Sequence, residues 1–196
     1  MHALERMAQG EARIGPNAVL QTLRALDELA PGERAAVETK ADLPPLDQGM
    51  IPEVAFVRLI RAVREVLPRD RAEAVLRRAG ALTADYVRSN RIPAPIRATL
   101  AGLPAFLAMP LLLQAIERHA WTFAGAGTFG TEGKMLLLEG APTARPESGA
   151  PGTGCSCAYY EAAFEELLRL AARGVHVTEV ACQGSGAARC QFRIQG

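Results

Sequence analysis

Three cysteines and a glutamate near the end of the chain have residue types and spacing that suit metal binding. The candidate ligands are Cys157, Glu179, Cys182 and Cys190. Three thiolates and a carboxylate can complete a tetrahedral zinc site with no open position, which implies a structural role. The stretch 183–189 contains two glycines and can fold back between the last two cysteines.

A fourth cysteine leaves one ligand of this predicted site open. Cys155 lies two residues before Cys157 and could replace it or remain a spare thiol. Cys157 directly precedes a predicted helix, whose N-terminal dipole favours a thiolate. Clustered cysteines indicate metal or redox chemistry more than disulfides in a reducing cytosol. The alternative is a set of buried free thiols, because cysteine often packs as a small apolar residue.

A glycine-rich stretch at 125–130 matches G-x-G-x-x-G, the pattern that binds the pyrophosphate of dinucleotides. That function requires a helix directly after the glycines, whereas the following residues predict a strand. We therefore predict a turn or loop beside a ligand cavity instead of a nicotinamide site. The sequence also shows no flavin motif, no P-loop and no Ser-His-Asp arrangement.

His119 precedes an aromatic stretch and is a candidate axial ligand for a metallated tetrapyrrole, since imidazole is a common haem-type ligand. The alternative is a core histidine with ordinary hydrogen-bond partners, which is the more frequent role of a lone histidine near apolar residues.

Composition and charge exclude several classes of protein. The chain has 196 residues, 49% of them apolar, and a net charge of +1. This size fits one domain with a core, and the charge balance argues against nucleic acid as the main partner. The apolar stretch 100–116 is interrupted by two prolines and is shorter than the about 20 residues of a membrane span, so we expect core or a pocket wall. The N-terminus shows no apolar signal-peptide region, and we expect a cytoplasmic protein.

Hydrophobic periodicity predicts helices first and strands later. The predicted helices are 17–29, 33–40, 53–67, 69–90 and 158–173, and the predicted strands are 135–139, 175–181 and 190–194. This order favours an α+β fold over a doubly wound α/β fold. We expect residues 1–50 to form a helical extension and residues 51–196 the ligand-binding domain, together one compact unit.

Several of these motifs together resemble the bacteriochlorophyll 4-vinyl reductase family, whose members carry the 4-vinyl reductase domain. The motifs are HAWTFAGAGTF at 119–129, Cys157-Ala-Tyr-Tyr, Phe164-Glu, Glu179-x-x-Cys182 and Cys190-x-Phe192, with Tyr86-Val-Arg-x-Asn-Arg-Ile-Pro93 and Leu103-Pro104 upstream. The resemblance implies helices packed on an antiparallel sheet, as in TRAPP subunits, often in a dimer. It also implies zinc on Cys157, Glu179, Cys182 and Cys190. One departure is Gly186-Ala187, where the family pattern has Gly-Asp.

The reaction named for this family reduces the 8-vinyl group (4-vinyl in older numbering) of a divinyl chlorophyll precursor. Such a reduction needs a hydride or electron source, and the sequence shows no motif for one. We therefore expect a bacteriochlorophyll-pathway protein that binds a divinyl tetrapyrrole as an accessory or carrier. The residue types suit a flat apolar ring, and the candidate ligand-binding residues are Leu107, Leu111, His119, Trp121, Phe123 and Phe129.

Two alternative functions stay open at this point. One is a genuine 8-vinyl reductase that uses an external electron donor, and the other is a sensor module for a small aromatic ligand. The resemblance further implies pathway enzymes and a second copy of the chain as partners. A peripheral association with the photosynthetic membrane is the alternative to a purely cytoplasmic location.

Overall fold

Helices precede the main sheet along the chain. The computed structural model describes residues 12–47, 49–120, 124–140 and 157–196. The helices within these residues are α1 (Asn17–Leu29), α2 (Arg34–Ala41), α3 (Glu53–Val66), α4 (Arg69–Asn90), α5 (Ala94–Gly102), α6 (Ala105–Arg118) and α7 (Cys157–Leu168). The strands are β1 (Arg13–Ile14), β2 (Ile51–Pro52), β3 (Thr128–Glu132), β4 (Met135–Glu139), β5 (His176–Ala181) and β6 (Cys190–Gln195). The α+β class predicted from the sequence is confirmed.

Four of the strands form an antiparallel sheet in the order β3-β4-β6-β5. Alternate side chains of the two central strands are buried, as expected for a sheet with one covered face. These buried residues are Leu136, Leu138, Cys190, Phe192 and Ile194. Helix α7 covers this face, and its Phe164 ring packs edge-on against Phe192 with the ring centroids 5.4 Å apart.

The longest helix, α4, joins the N-terminal helices to the sheet layer because it contacts both α1 and α7. At Gly80 the two backbones come so close that a Cβ atom would lie 2.1 Å from the carbonyl oxygen of Tyr159. The Tyr159 hydroxyl donates a hydrogen bond to Thr83 Oγ1 at 3.0 Å. A single core cluster extends from Ile14 to Ile194.

Four helices begin directly after a proline, which fixes φ and lacks the N–H that a first turn leaves without an intrahelical partner. These prolines are Pro52, Pro68, Pro93 and Pro104. The predicted helices 53–67 and 69–90 therefore have the expected starts. The predicted extension, residues 1–50, contributes α1 and α2, which contact α4 and α3 respectively. The division at residue 50 stays a prediction.

The predicted helix 158–173 ends earlier, at Leu168. The amides of Ala171 and Ala172 both donate to the Leu168 carbonyl oxygen, at 2.9 and 3.1 Å, so the chain leaves the helix in tight turns. Leu168 itself is fully buried under the sheet layer. Packing of the last apolar residue, rather than Gly174, thus sets where the helix stops.

The apolar stretch 100–116 differs from the expectation of full burial. It ends α5 and forms most of α6, and α6 buries only a narrow stripe of Ala108, Leu112 and Ile116. Phe106 and Leu111 are exposed by 75% and 53%. Among the described residues, no helix has both the length and the apolar character needed to cross a bilayer.

Candidate functional site

Three cysteines from three different elements meet under the sheet. Cys157 opens α7, Cys182 directly follows β5 and Cys190 opens β6. The Cys157 sulfur lies 3.3 Å from that of Cys182 and 3.9 Å from that of Cys190. All three sulfurs lie within 4.8 Å of one another, and all three side chains are buried. We call this group the cysteine cluster.

A bulge in β5 brings Glu179 beside the cysteine cluster. Glu179 pairs with Phe192 and Ala181 with Gln191, so Val180 is an extra residue and is 42% exposed. One extra residue reverses the alternation of side chains, which places Glu179 and Cys182 on the same face although they are three residues apart. The Glu179 carboxyl group is within hydrogen-bonding reach of the Cys157 and Cys182 thiols.

Burial of the Glu179 carboxyl group raises its pKa above the ordinary value. The hydrogen bond with Cys157 acts in the opposite direction, whereas Cys182 and the nearby Glu161 raise the pKa further. Burial beside acidic groups favours either a proton or a bound cation at this place.

Two carboxylates on α7 hold the edge strand β5 in place. Glu165 accepts a hydrogen bond from the Val177 amide at 3.0 Å, and Glu161 accepts one from the Glu179 amide at 2.9 Å. These amides belong to an edge strand, whose outward N–H groups otherwise have no partner in the sheet. Glu161 also forms an ion pair with Arg77 of α4. The position of Glu179 is therefore fixed relative to Cys157 at the start of the same helix.

The loop between Cys182 and Cys190 folds back on itself, as the two glycines predict. The amides of Ser185 and Ala187 both donate to the Cys182 carbonyl oxygen, at 3.0 and 3.1 Å. Gly186 has φ +95°, a conformation that favours glycine. The Gln183 amide donates to the Cys190 sulfur at 3.3 Å, a contact that stabilises a thiolate.

The geometry of the cysteine cluster fits a zinc ion. Sulfurs around tetrahedral zinc, each about 2.3 Å from the metal, lie about 3.8 Å apart. The two sulfur separations of 3.3 and 3.9 Å bracket this value. Cys155 lies outside the described residues, so the structure places only Cys157 of that pair in the cluster.

An open groove of about 520 Å³ runs between α6 and the turn that joins β3 to β4. Its lining residues are Phe106, Met109, Pro110, Leu113, Gln114, Glu117, Thr131 and Gly133. Most of the α6 residues repeat at helical spacing, so one side of α6 forms the apolar wall. We call this feature the α6 groove.

The predicted ligand-binding residues are spread over two environments. Leu107 and Leu111 are exposed on α6, and His119 is exposed at the end of that helix. Phe129 is buried instead and packs against Phe164 with ring centroids 5.3 Å apart. Trp121 and Phe123 lie outside the described residues. The structure thus brings the α6 residues into one surface and puts Phe129 in the core.

Sequence reasoning missed the buried carboxylate of Glu53, which is 2% exposed. It accepts a hydrogen bond from the Ala126 amide at 3.2 Å. Gly125 has φ +58°, and a Cβ atom there would lie 2.2 Å from the Glu53 carboxyl group. The glycines at 125–130 therefore make a turn against α3 and continue as β3. Their G-x-G pattern, read for close backbone approach alone, was the available signal.

Comparison with known proteins gives two independent likenesses. The 4-vinyl reductase domain family matches residues 146–195, which include the cysteine cluster and Glu179. The bacteriochlorophyll synthase 23 kDa chain of Cereibacter sphaeroides is 38% identical over 200 residues, covering 97% of this chain and 95% of that protein. The protein of the same name from Rhodobacter capsulatus is 38% identical over 192 residues, covering 93% of this chain and 86% of that protein.

Proposed function

Because the chain belongs to the family of the bacteriochlorophyll synthase 23 kDa chain, a family with a 4-vinyl reductase domain, we propose that it acts in bacteriochlorophyll biosynthesis. Its role is to bind a divinyl tetrapyrrole intermediate as an accessory or carrier protein. The near full-length identity to these relatives is the observation that carries the pathway. The α6 groove supports the pigment as the ligand.

The α6 groove has the size and lining for an organic ring system. Ligand sites are mostly apolar cavities of about 300–1,000 Å³ with a few polar groups that fix orientation. Here Phe106, Met109 and Leu113 supply the apolar surface, and Gln114 and Glu117 supply polar groups along the same helix. His119 caps α6 and is the proposed axial ligand for the central metal of the pigment.

A pigment titration tests this proposal. Divinyl protochlorophyllide is added to the full chain without reductant, and the Soret band and tryptophan fluorescence are followed. We expect saturable binding at micromolar pigment, weakened about tenfold by Phe106→Ala. Val54→Ala is the matched control, because Val54 is an exposed apolar residue on α3. A missing saturable change, or equal affinity in the two variants, would contradict binding in the α6 groove.

Two further readouts separate the proposed role from its alternative. His119→Ala should shift the position of the Soret band of the bound pigment, a signature of a lost axial ligand. Incubation with NADPH or reduced ferredoxin, followed by separation of divinyl and monovinyl pigments, should show no product from the protein alone. Turnover by the pure protein would replace the carrier role with that of a reductase.

We further propose that Cys157, Glu179, Cys182 and Cys190 hold one structural zinc ion. Three sulfurs and a carboxylate would leave no position for substrate, so the ion would link α7, β5 and β6. Elemental analysis should give about one zinc per chain. Cys157→Ser and Cys182→Ser should lose zinc, and Cys155→Ser should keep it. Loss in Cys155→Ser and retention in Cys157→Ser would reverse the assignment.

The relatives are named as chains of a synthase, which suggests protein partners. We propose that other enzymes of the pathway receive the pigment from this chain and that the chain forms a homodimer. Light scattering on the purified protein tests the dimer, and a monomeric mass at all concentrations would contradict it. Transfer of bound pigment to a purified pathway enzyme tests the partner role.

A further inference from the structure

One surface of α6 is apolar and faces away from the rest of the molecule. Phe106, Leu107, Pro110 and Leu111 are all exposed, and they form two pairs four residues apart on the helix. Ile96 of the adjoining α5 is 51% exposed. We call these five residues the apolar face. Contiguous exposed apolar side chains mark a surface that binds something.

The charges around the apolar face have one sign. Residues 92–116 contain Arg97 as their single charged residue and contain no carboxylate. Arg97 donates to the carbonyl oxygens of Arg88 and Ile92, at 3.0 and 2.7 Å, so its charge is held at the end of α4. The segment 88–118 contains four arginines and one glutamate, a net charge of +3, whereas the whole chain carries +1.

Two of these arginines are available to an outside partner. Arg91 precedes α5 and Arg118 ends α6, so they stand at the two ends of the α5–α6 segment. Both are exposed, and within the described part of the chain neither forms an ion pair. The apolar face is therefore flanked along the chain by free cationic groups.

We propose that the apolar face docks onto an anionic lipid surface, with Phe106, Leu107 and Leu111 entering the headgroup region and Arg91 and Arg118 contacting lipid phosphates. An apolar helix face without carboxylates and with basic ends is the chemistry of interfacial helices. A second copy is disfavoured as the occupant, because a two-fold interface would bring two segments of charge +3 together.

This docking does not depend on pigment binding. It has one consequence that rests on the proposed function: the α6 groove shares Phe106 with the apolar face and would open at the bilayer surface. An apolar pigment could then pass between lipid and protein without crossing water.

Sedimentation with pigment-free vesicles tests the proposal. The full, metal-loaded chain is mixed with vesicles of phosphatidylcholine alone or with added phosphatidylglycerol. We expect the chain to bind the mixed vesicles, and high salt to weaken that binding. The double variant L107Q/L111Q should lower the partition coefficient about tenfold. L20Q is the matched control, since Leu20 is a 40% exposed leucine on α1.

A charge variant separates the two parts of the interaction. R91Q/R118Q should bind phosphatidylcholine vesicles as the wild type does, but should lose the gain from phosphatidylglycerol and most of the salt dependence. Zinc content and thermal unfolding of each variant confirm that it is folded.

Three results would overturn the proposal. One is absence of binding to both kinds of vesicle, and a second is equal partition of L107Q/L111Q and L20Q. The third is a change from dimer to monomer in L107Q/L111Q without vesicles, which would assign the apolar face to a second copy. Because no pigment is present, failure here leaves the pigment titration unaffected.

Discussion

The cysteine cluster and the α6 surface differ in almost every physical respect. The cluster draws α7, β5 and β6 together, and its three thiols are buried. Helix α6 buries one stripe of three residues and exposes large apolar side chains beside an open groove. The comparison separates two tasks: the cluster end holds the fold, and the α6 surface meets ligands. Substitutions should therefore affect stability at one end and binding at the other.

The largest expected effect is at the cysteine cluster. Cys182→Ser should lower the free energy of unfolding by roughly 3–5 kcal/mol, because it removes one of four groups that would link three elements through a metal. Urea denaturation measures this change, and Cys155→Ser is the control, with an expected change under about 0.5 kcal/mol. A chelator should bring the wild type down to the stability of Cys182→Ser. Equal stabilities of the two variants would remove the cluster's structural role.

A single alanine introduced in either region sharpens the contrast. Gly80→Ala should cost about 3 kcal/mol, since its Cβ would meet the backbone of α7 at 2.1 Å. Gly102→Ala at the end of α5 meets nothing within 4 Å and should change the free energy of unfolding by less than about 0.5 kcal/mol. Thermal or urea unfolding of both variants is the measurement. A comparable loss in Gly102→Ala would show that the α5–α6 segment is packed as tightly as α4 against α7.

The Tyr159 hydroxyl predicts a smaller, pH-dependent effect. Burial raises the pKa of Tyr159, although its hydrogen bond with Thr83 acts in the opposite direction. The folded state therefore keeps the phenol proton above the unfolded pKa of about 10, so this stabilisation is complete below that pH and is lost as the pH rises further. Tyr159→Phe should cost about 1 kcal/mol at neutral pH.

The pH dependence is measured by urea denaturation at about pH 8 and about pH 11. Between these values the free energy of unfolding should fall more in the wild type than in Tyr159→Phe. Parallel falls would show that the phenol of Tyr159 is not buried in the way the structure describes.

The smallest change in stability is expected on α6. Phe106→Ala and Leu111→Ala should each alter the free energy of unfolding by less than about 0.5 kcal/mol, because both side chains are mostly in solvent. Urea denaturation again gives the value. A loss above about 2 kcal/mol would mean that these side chains are core residues in solution, and the apolar face would not exist.

Sequence reasoning predicts the region around the cysteine cluster well because local signals agree there. Alternation gives β5 and β6 their bounds, and the glycines between Cys182 and Cys190 predict the fold-back. The meeting of Cys157 with the other two cysteines depends on α7 crossing the sheet, a long-range packing event that only family resemblance suggested. The bulge at Val180 left no mark in the sequence, although it puts Glu179 on the face of Cys182.

Sequence reasoning does less well for the α5–α6 segment because apolar composition does not reveal orientation. A stretch rich in leucine predicts burial, whereas α6 has only one stripe in contact with the core. Glu53 was missed for a related reason: its partner, the Ala126 amide, is a backbone group 73 residues away. Neither feature has a periodic or spacing signal of its own.

The most direct test of the two-region account is amide hydrogen exchange with and without divinyl protochlorophyllide. The account predicts that pigment slows exchange in Ala105–Arg118 and Thr128–Glu132, which line the α6 groove. It predicts no change in His176–Ala181 and Cys190–Gln195, which stay protected throughout. Pigment-dependent protection confined to these two strands, with α6 unchanged, would contradict the account and move the ligand to the cysteine cluster.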